Sequence, residues 1–169
     1  FSTMEELKFY LSGSLESLKS LQAKAKTVII VSQNNQAIGL VAIADILKNQ
    51  KIWGIGVFSL DEAIEIKKRL DFKKPILVLG YFSKENINSV RYAVNNNIQF
   101  SIYNFEDLKL ISKIAQKINQ KAKIHLKVDV GTSRIGILEK DLLNFIKKTK
   151  ALKNIKIVGV FAHLADSEN

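Results

Sequence analysis

The stretch "KIHLKVDVGTSRIG", residues 123–136, concentrates the side chains best suited to chemistry. Alternate residues of a strand point to opposite faces, so His125, Lys127 and Asp129 share one face and Leu126, Val128 and Val130 the other. Three polar groups on a buried strand face are costly unless they are paired. Two outcomes stand open. Lys127 and Asp129 pair with each other or with neighbours and serve the fold alone. Or they floor a polar site over which the turn at Gly131 carries Arg134, a natural fork for a carboxylate, phosphate or phenolate.

A second candidate is His163, at the carboxyl end of the run "GVFAHLAD". It is either a hydrogen-bonded filler or a site residue. With two histidines, no cysteine and no HExxH motif, no metal cluster is expected. The lack of cysteine also excludes disulfides and thiolate nucleophiles, and fits a reducing compartment. A third stretch, "TVIIVSQNNQAIG" at 27–39, is a β-branched run that spills into an uncharged polar loop with no acid, base or lysine.

These residues sit on a regular alternation. Strand-like runs occur at 27–31, 52–58, 75–80, 98–103, 123–130 and 155–162. Apolar residues at helical spacing fill 39–48, 60–70, 84–96, 105–121 and 139–152, and Ser12 to Ser14 could cap a further helix over 15–25. Ser59 with Glu62 reads as a capping box, and Asn104 with Asp107 resembles one. Asp61 and Glu62 open a helix that Lys67, Lys68 and Arg69 close, which suits the helix dipole.

Strands alternating with helices predict right-handed crossovers and a parallel sheet. Neither GxGxxG nor a Walker loop is present in the right context, so a doubly wound nucleotide fold is disfavoured. The even spacing fits an α/β fold of the (β/α)8 barrel type, with about six of the eight strands in this chain. Residues 1–169 are expected to form one partial barrel domain with open sheet edges. In such barrels reactive groups gather at the carboxyl ends of strands, here Ser32 to Gln36, Ser59, Tyr81, Asn104, Asp129 to Arg134, and His163. Ser59 and Asn104 are better explained as caps, and Tyr81 as a packing aromatic.

The net charge of +10 comes from lysines spread over polar helix faces, as in "EIKKRL" and "FIKKTKALKNIK", so solvated faces are expected and nucleic acid is not. No apolar run approaches the ~20 residues of a spanning helix, and no basic-then-apolar leader opens the chain. A soluble, cytoplasmic protein without membrane partners is expected.

"HLKVDVGTSRIG" resembles the alanine racemase signature HLKxDTGMxRxG. "GVFAHLADSEN" resembles that family's GIFTHFAxADE, and "VFSLDEAIEIKKRL" with "KPILVLGYF" resembles a third colinear segment. The resemblance implies a barrel that binds pyridoxal 5′-phosphate, followed by a β domain, in a homodimer that interconverts L- and D-alanine. It implies that Arg134 contacts the cofactor's phenolic oxygen and the substrate carboxylate. It implies that Lys127, when carbamylated, steadies that arginine, and that His163 packs beside the pyridine ring.

The departures are as informative. Where the family's first strand ends in VVKANAYGHG, this chain reads IVSQNNQAIG. Ser32 stands at the lysine that forms the imine, Gln36 at the phosphate-contacting tyrosine, and Asn34 agrees with the pattern. Serine cannot form an imine or remove an α-proton at neutral pH. Thr132, Ser133 and Ala162 also depart from the usual residues. The sequence stops at "DSEN", before the family's second-base tyrosine and its β domain. An alanine-racemase-like chain is therefore expected, inactive alone and without covalent cofactor attachment. The alternatives are a non-catalytic homologue that binds the cofactor or an amino acid, and a structural fragment.

Overall fold

A computed structural model of the chain describes residues 27–29 and 37–166. Two compact units are distinguished, one ending at Phe82 and one beginning at Ser83.

In the first unit, β1 (Thr27–Ile29), β2 (Gly54–Val57) and β3 (Ile76–Val78) run parallel, with Thr27 opposite Gly54 and Ile55 opposite Ile76. Helices α1 (Ala37–Leu47) and α2 (Leu60–Arg69) follow β1 and β2. The Ser59 hydroxyl accepts from the Glu62 amide, and the Glu62 carboxylate accepts from the Ser59 amide, which completes the expected capping box. Helix α2 buries Ala63, Ile64 and Ile66 and leaves Lys68 and Arg69 in solvent, as its apolar spacing requires. The core of this unit is the strand residues Ile55, Val57, Ile76 and Val78, all fully buried. Tyr81 is exposed and stacks on Phe82 at 6.3 Å, a packing contact as expected.

The second unit contains α3 (Ile87–Asn95), β4 (Ile98–Ile102), α4 (Phe105–Lys117), β5 (Ala122–Val130), β6 (Ile137–Leu138), α5 (Glu139–Lys150) and β7 (Ile155–Leu164). Strand β5 pairs in parallel with β4, β6 and β7. Asn104 caps α4 by accepting from the Asp107 amide at 2.8 Å, as the sequence indicated. The buried Asp107 receives Lys84 at 3.1 Å, and the same ammonium meets Glu106 at 3.2 Å. Lysines of the polar helix faces, such as Lys113, Lys117, Lys147 and Lys148, are exposed.

Each strand expected after residue 50 is present. The two-residue β6 was not anticipated, because it lies inside the turn that follows β5. The helix expected over 15–25 lies outside the described residues. No described helix is long and apolar enough to cross a membrane.

Candidate functional site

The polar face of β5 is continued by its neighbours. Ser101 of β4 lies in register with His125, while Gly159, Phe161 and His163 of β7 lie opposite His125, Lys127 and Asp129. Residues that pair across parallel strands point to the same side. One face therefore reads Gln99 and Ser101 on β4, His125, Lys127 and Asp129 on β5, and Phe161 and His163 on β7. The opposite face of β4 and β5 carries Phe100, Ile102, Ile124, Leu126 and Val128, all buried.

The polar groups are arranged in depth. His125 is deepest, 8% exposed, with Nε2 2.7 Å from Gln99 Oε1. Its ring occupies the space that a side chain at position 159 would need: a Cβ on Gly159 would lie 2.6 Å from His125 Cε1. Burial holds the imidazole below its ordinary pKa, so it is neutral at physiological pH.

Lys127 comes next, half-buried, with Nζ 6.0 Å from the Phe161 ring centroid. Partial burial depresses its pKa first, the charge of Arg134 depresses it further, and Asp129 opposes both. Lys127 thus lies within the field of Arg134.

Asp129 stands at the rim and builds the turn. Its Oδ1 accepts from the Gly131 amide at 3.0 Å, the Ser133 amide at 3.1 Å and the Thr132 hydroxyl at 3.4 Å. These donors, Gly131 foremost, hold the carboxyl below its usual pKa. The carboxylate's hydrogen bonds are thus spent on the backbone that delivers Arg134. Gly136 closes the turn against β5, where a Cβ would lie 2.7 Å from the Val128 carbonyl carbon and 2.9 Å from Asp129 Cα. Arg134 is exposed, free to meet an anion arriving from solvent.

His163 is exposed at the end of β7, level with Asp129. The structure thus brings Lys127, Arg134 and His163 to one end of three adjoining strands. Ser32, Asn34 and Gln36 lie outside the described residues. Val130 departs from expectation: it shares the parity of Leu126 and Val128 but is 45% exposed, because it is the last residue of β5 and projects beyond the packed layer. The Gln99–His125 pair was not foreseen. A lone glycine inside "IKIVGVFA" was its one sequence signal, since such glycines mark close approach by a neighbour. No group of three acidic, histidine or cysteine side chains among the described residues could hold a metal ion.

The family profile "Alanine racemase, N-terminal domain" matches residues 14–169. An alanine racemase of Methanococcus maripaludis is 35% identical over 147 residues, covering 86% of this chain and 38% of that protein. One from Helicobacter pylori strain Shi470 is 31% identical over 161 residues, covering 94% of this chain and 41% of that protein. Among solved structures, the alanine racemase of Clostridium difficile 630 superposes with a TM-score of 0.75 at 27% identity, over 89% of this chain and 39% of that one. The chain spans about 40% of the length of the relatives it matches.

Proposed function

Because the chain belongs to the alanine racemase N-terminal domain family and has its α/β barrel fold, we propose that its polar strand end receives pyridoxal 5′-phosphate and an amino-acid carboxylate, with Arg134 as the principal contact. The observation that carries this reading is the turn anchored by Asp129, which follows the carboxyl end of β5 and bears the exposed Arg134. A planar fork held at that rim suits a carboxylate or phenolate oxygen.

The described donors suit the anionic oxygens of the cofactor: Arg134 and Lys127 are cationic, and His163 offers a flat ring at the same level. When bound, pyridoxal phosphate would supply an electron sink for a carbanion at the amino-acid α-carbon. The chain's own contributions are more limited. Arg134 would fix the carboxylate and so orient the Cα–H bond. Lys127 beside it is unfavourable while both are charged, and a neutral amine or a carbamate at Lys127 would remove that repulsion. Ser32, at the position of the imine-forming lysine, cannot remove an α-proton at neutral pH.

We therefore assign this chain to the binding half of the racemase apparatus. With Ser32 in place of an imine-forming lysine, these 169 residues alone are proposed not to interconvert L- and D-alanine. A homodimer and a cytoplasmic location are proposed on the same family grounds.

Equilibrium dialysis against pyridoxal phosphate, with a D-alanine assay beside it, tests the reading. Saturable retention, weakened about tenfold or more in Arg134→Ala, is expected, with no D-alanine formed from L-alanine. No saturable retention would overturn the binding role. D-alanine formation would overturn the inactivity.

A further inference from the structure

We propose that the cleft between α3 and α4 is a docking site for an acidic segment of a partner protein, one that seats a single apolar side chain between flanking carboxylates. The site is independent of the strand end, since none of the residues lining the cleft belongs to the polar strand face or to the turn of Arg134.

The two helices build the cleft from residues one turn apart. Ile87 and Arg91 are four apart on α3 and so share a stripe of that helix. On α4, Leu110 and Ile114 form one such pair, and Lys113 and Lys117 form another. These six residues bound a cleft of about 130 Å³. Ile114 is buried and Leu110 half-buried, whereas Ile87 is 46% exposed, with no described side chain covering it from solvent. Arg91, Lys113 and Lys117 are exposed. Their methylene stems extend the apolar lining while their charges stay in water.

The three cations have no acidic partner among the described residues. Arg91 is the one charged residue of α3. The acidic residues of α4, Glu106 and Asp107, stand in its first turn, and both are engaged by Lys84. Lys113 and Lys117 repel each other at a spacing where an opposite charge would support the helix. A carboxylate brought by a ligand would relieve that repulsion.

Size and charge together select the occupant. The volume suits one group of about benzene size, so the anchor is a side chain such as leucine and not a cofactor-sized body. A second copy of the chain is disfavoured by its net charge of +10, which makes two copies repel. Single-stranded nucleic acid stacks its bases on aromatic rings, and the cleft is lined by none. A bilayer surface takes up apolar groups that protrude, whereas these line a hollow. An acidic segment with one apolar anchor, laid into a groove between helices, satisfies both the walls and the charges.

The test titrates the whole chain with a short synthetic peptide in which one leucine is flanked on each side by glutamates, followed by methyl and amide NMR. Saturable shifts are expected at Ile87, Leu110 and Ile114. Affinity should fall about tenfold or more when Lys113→Glu and Lys117→Glu are combined. It should fall as well in Ile87→Gln, and for a peptide carrying serine in place of the leucine. The shift map of the unsubstituted chain decides the location even if a variant folds poorly. No saturable shift, or shifts spread over other lysine-bearing helices, overturns the proposal. Equal binding of the serine peptide reduces the effect to general charge attraction and overturns it too. Tighter engagement of the same methyl groups by phosphatidylserine vesicles or by an oligouridine would assign the cleft to a lipid surface or to nucleic acid instead.

Discussion

Gly159 of β7 sits in register with His125 of β5, and the missing side chain of the first is the space filled by the ring of the second. The two residues are 34 apart in sequence, yet neither type makes sense without the other. A methyl group at 159 would have to displace the imidazole from Gln99 or spread the strands. Gly159→Ala is therefore expected to destabilise the chain by about 1–3 kcal/mol, the usual cost of overpacking. Urea unfolding of the two proteins side by side provides the measurement, and an unchanged midpoint would contradict the packing described.

His125 should also give the fold an acid sensitivity. Burial lowers its folded-state pKa below the ordinary 6.5, so the unfolded chain binds a proton at a pH where the folded chain refuses it. Stability is then greatest above 6.5 and falls as the pH drops through that value, until the folded imidazole also protonates. Urea midpoints compared between about pH 7.5 and about pH 5.5 should decline, and less so in His125→Gln. Equal slopes in the two proteins would assign the decline elsewhere.

The turn that bears Arg134 should loosen at lower pH than this. Its anchor, the Asp129 carboxylate, has a pKa held below 3.8 by the donors it accepts from. The turn is thus supported at neutral pH, and that support fades as acid protonates the folded carboxylate. The amide resonances of Gly131 and Ser133 should shift together in that range. Asp129→Asn, which leaves one acceptor oxygen without the charge, should weaken retention of pyridoxal phosphate while Arg134 itself is intact. Retention equal to the parent would show that the anchor does not govern the arginine.

Ser59→Ala removes the hydroxyl that accepts from the Glu62 amide at the start of α2. The expected loss is about 1 kcal/mol. Ser59→Asp should recover most of it, since aspartate also caps and places negative charge at the helix start. Thermal unfolding of the three proteins distinguishes this cap from a role at the site, because ligand retention should be unchanged throughout.

The sequence carried the local information well and the cross-strand information poorly. Ser59, Glu62, Asn104 and Asp107 signal their helix starts within four residues, and each does what its spacing says. The β-branched runs marked the strands for the same reason, since their period is visible in a short window. The parity of β5 correctly set His125, Lys127 and Asp129 on one face. It could not reveal that each has a different partner: Gln99 lies 26 residues away, while Lys127 answers to Phe161 on a later strand. Asp129, read as a possible partner of Lys127, instead bonds within its own turn. Val130 kept its parity but lost its burial, because strand period says nothing about where a packed layer stops.

The anchoring of that turn also bears on how its residues can vary. Asp129 reads positions 131 and 133 through their peptide nitrogens, which every residue except proline supplies. Ser133 can therefore drift in identity while the loop keeps its path, whereas Thr132 adds its hydroxyl to the anchor at 3.4 Å. Ser133 does so at a positive φ of 51°, a conformation that asparagine or glycine adopts more readily. The loop is robust to mutation at Ser133 and brittle at Asp129 and Gly136, which hold its shape against β5.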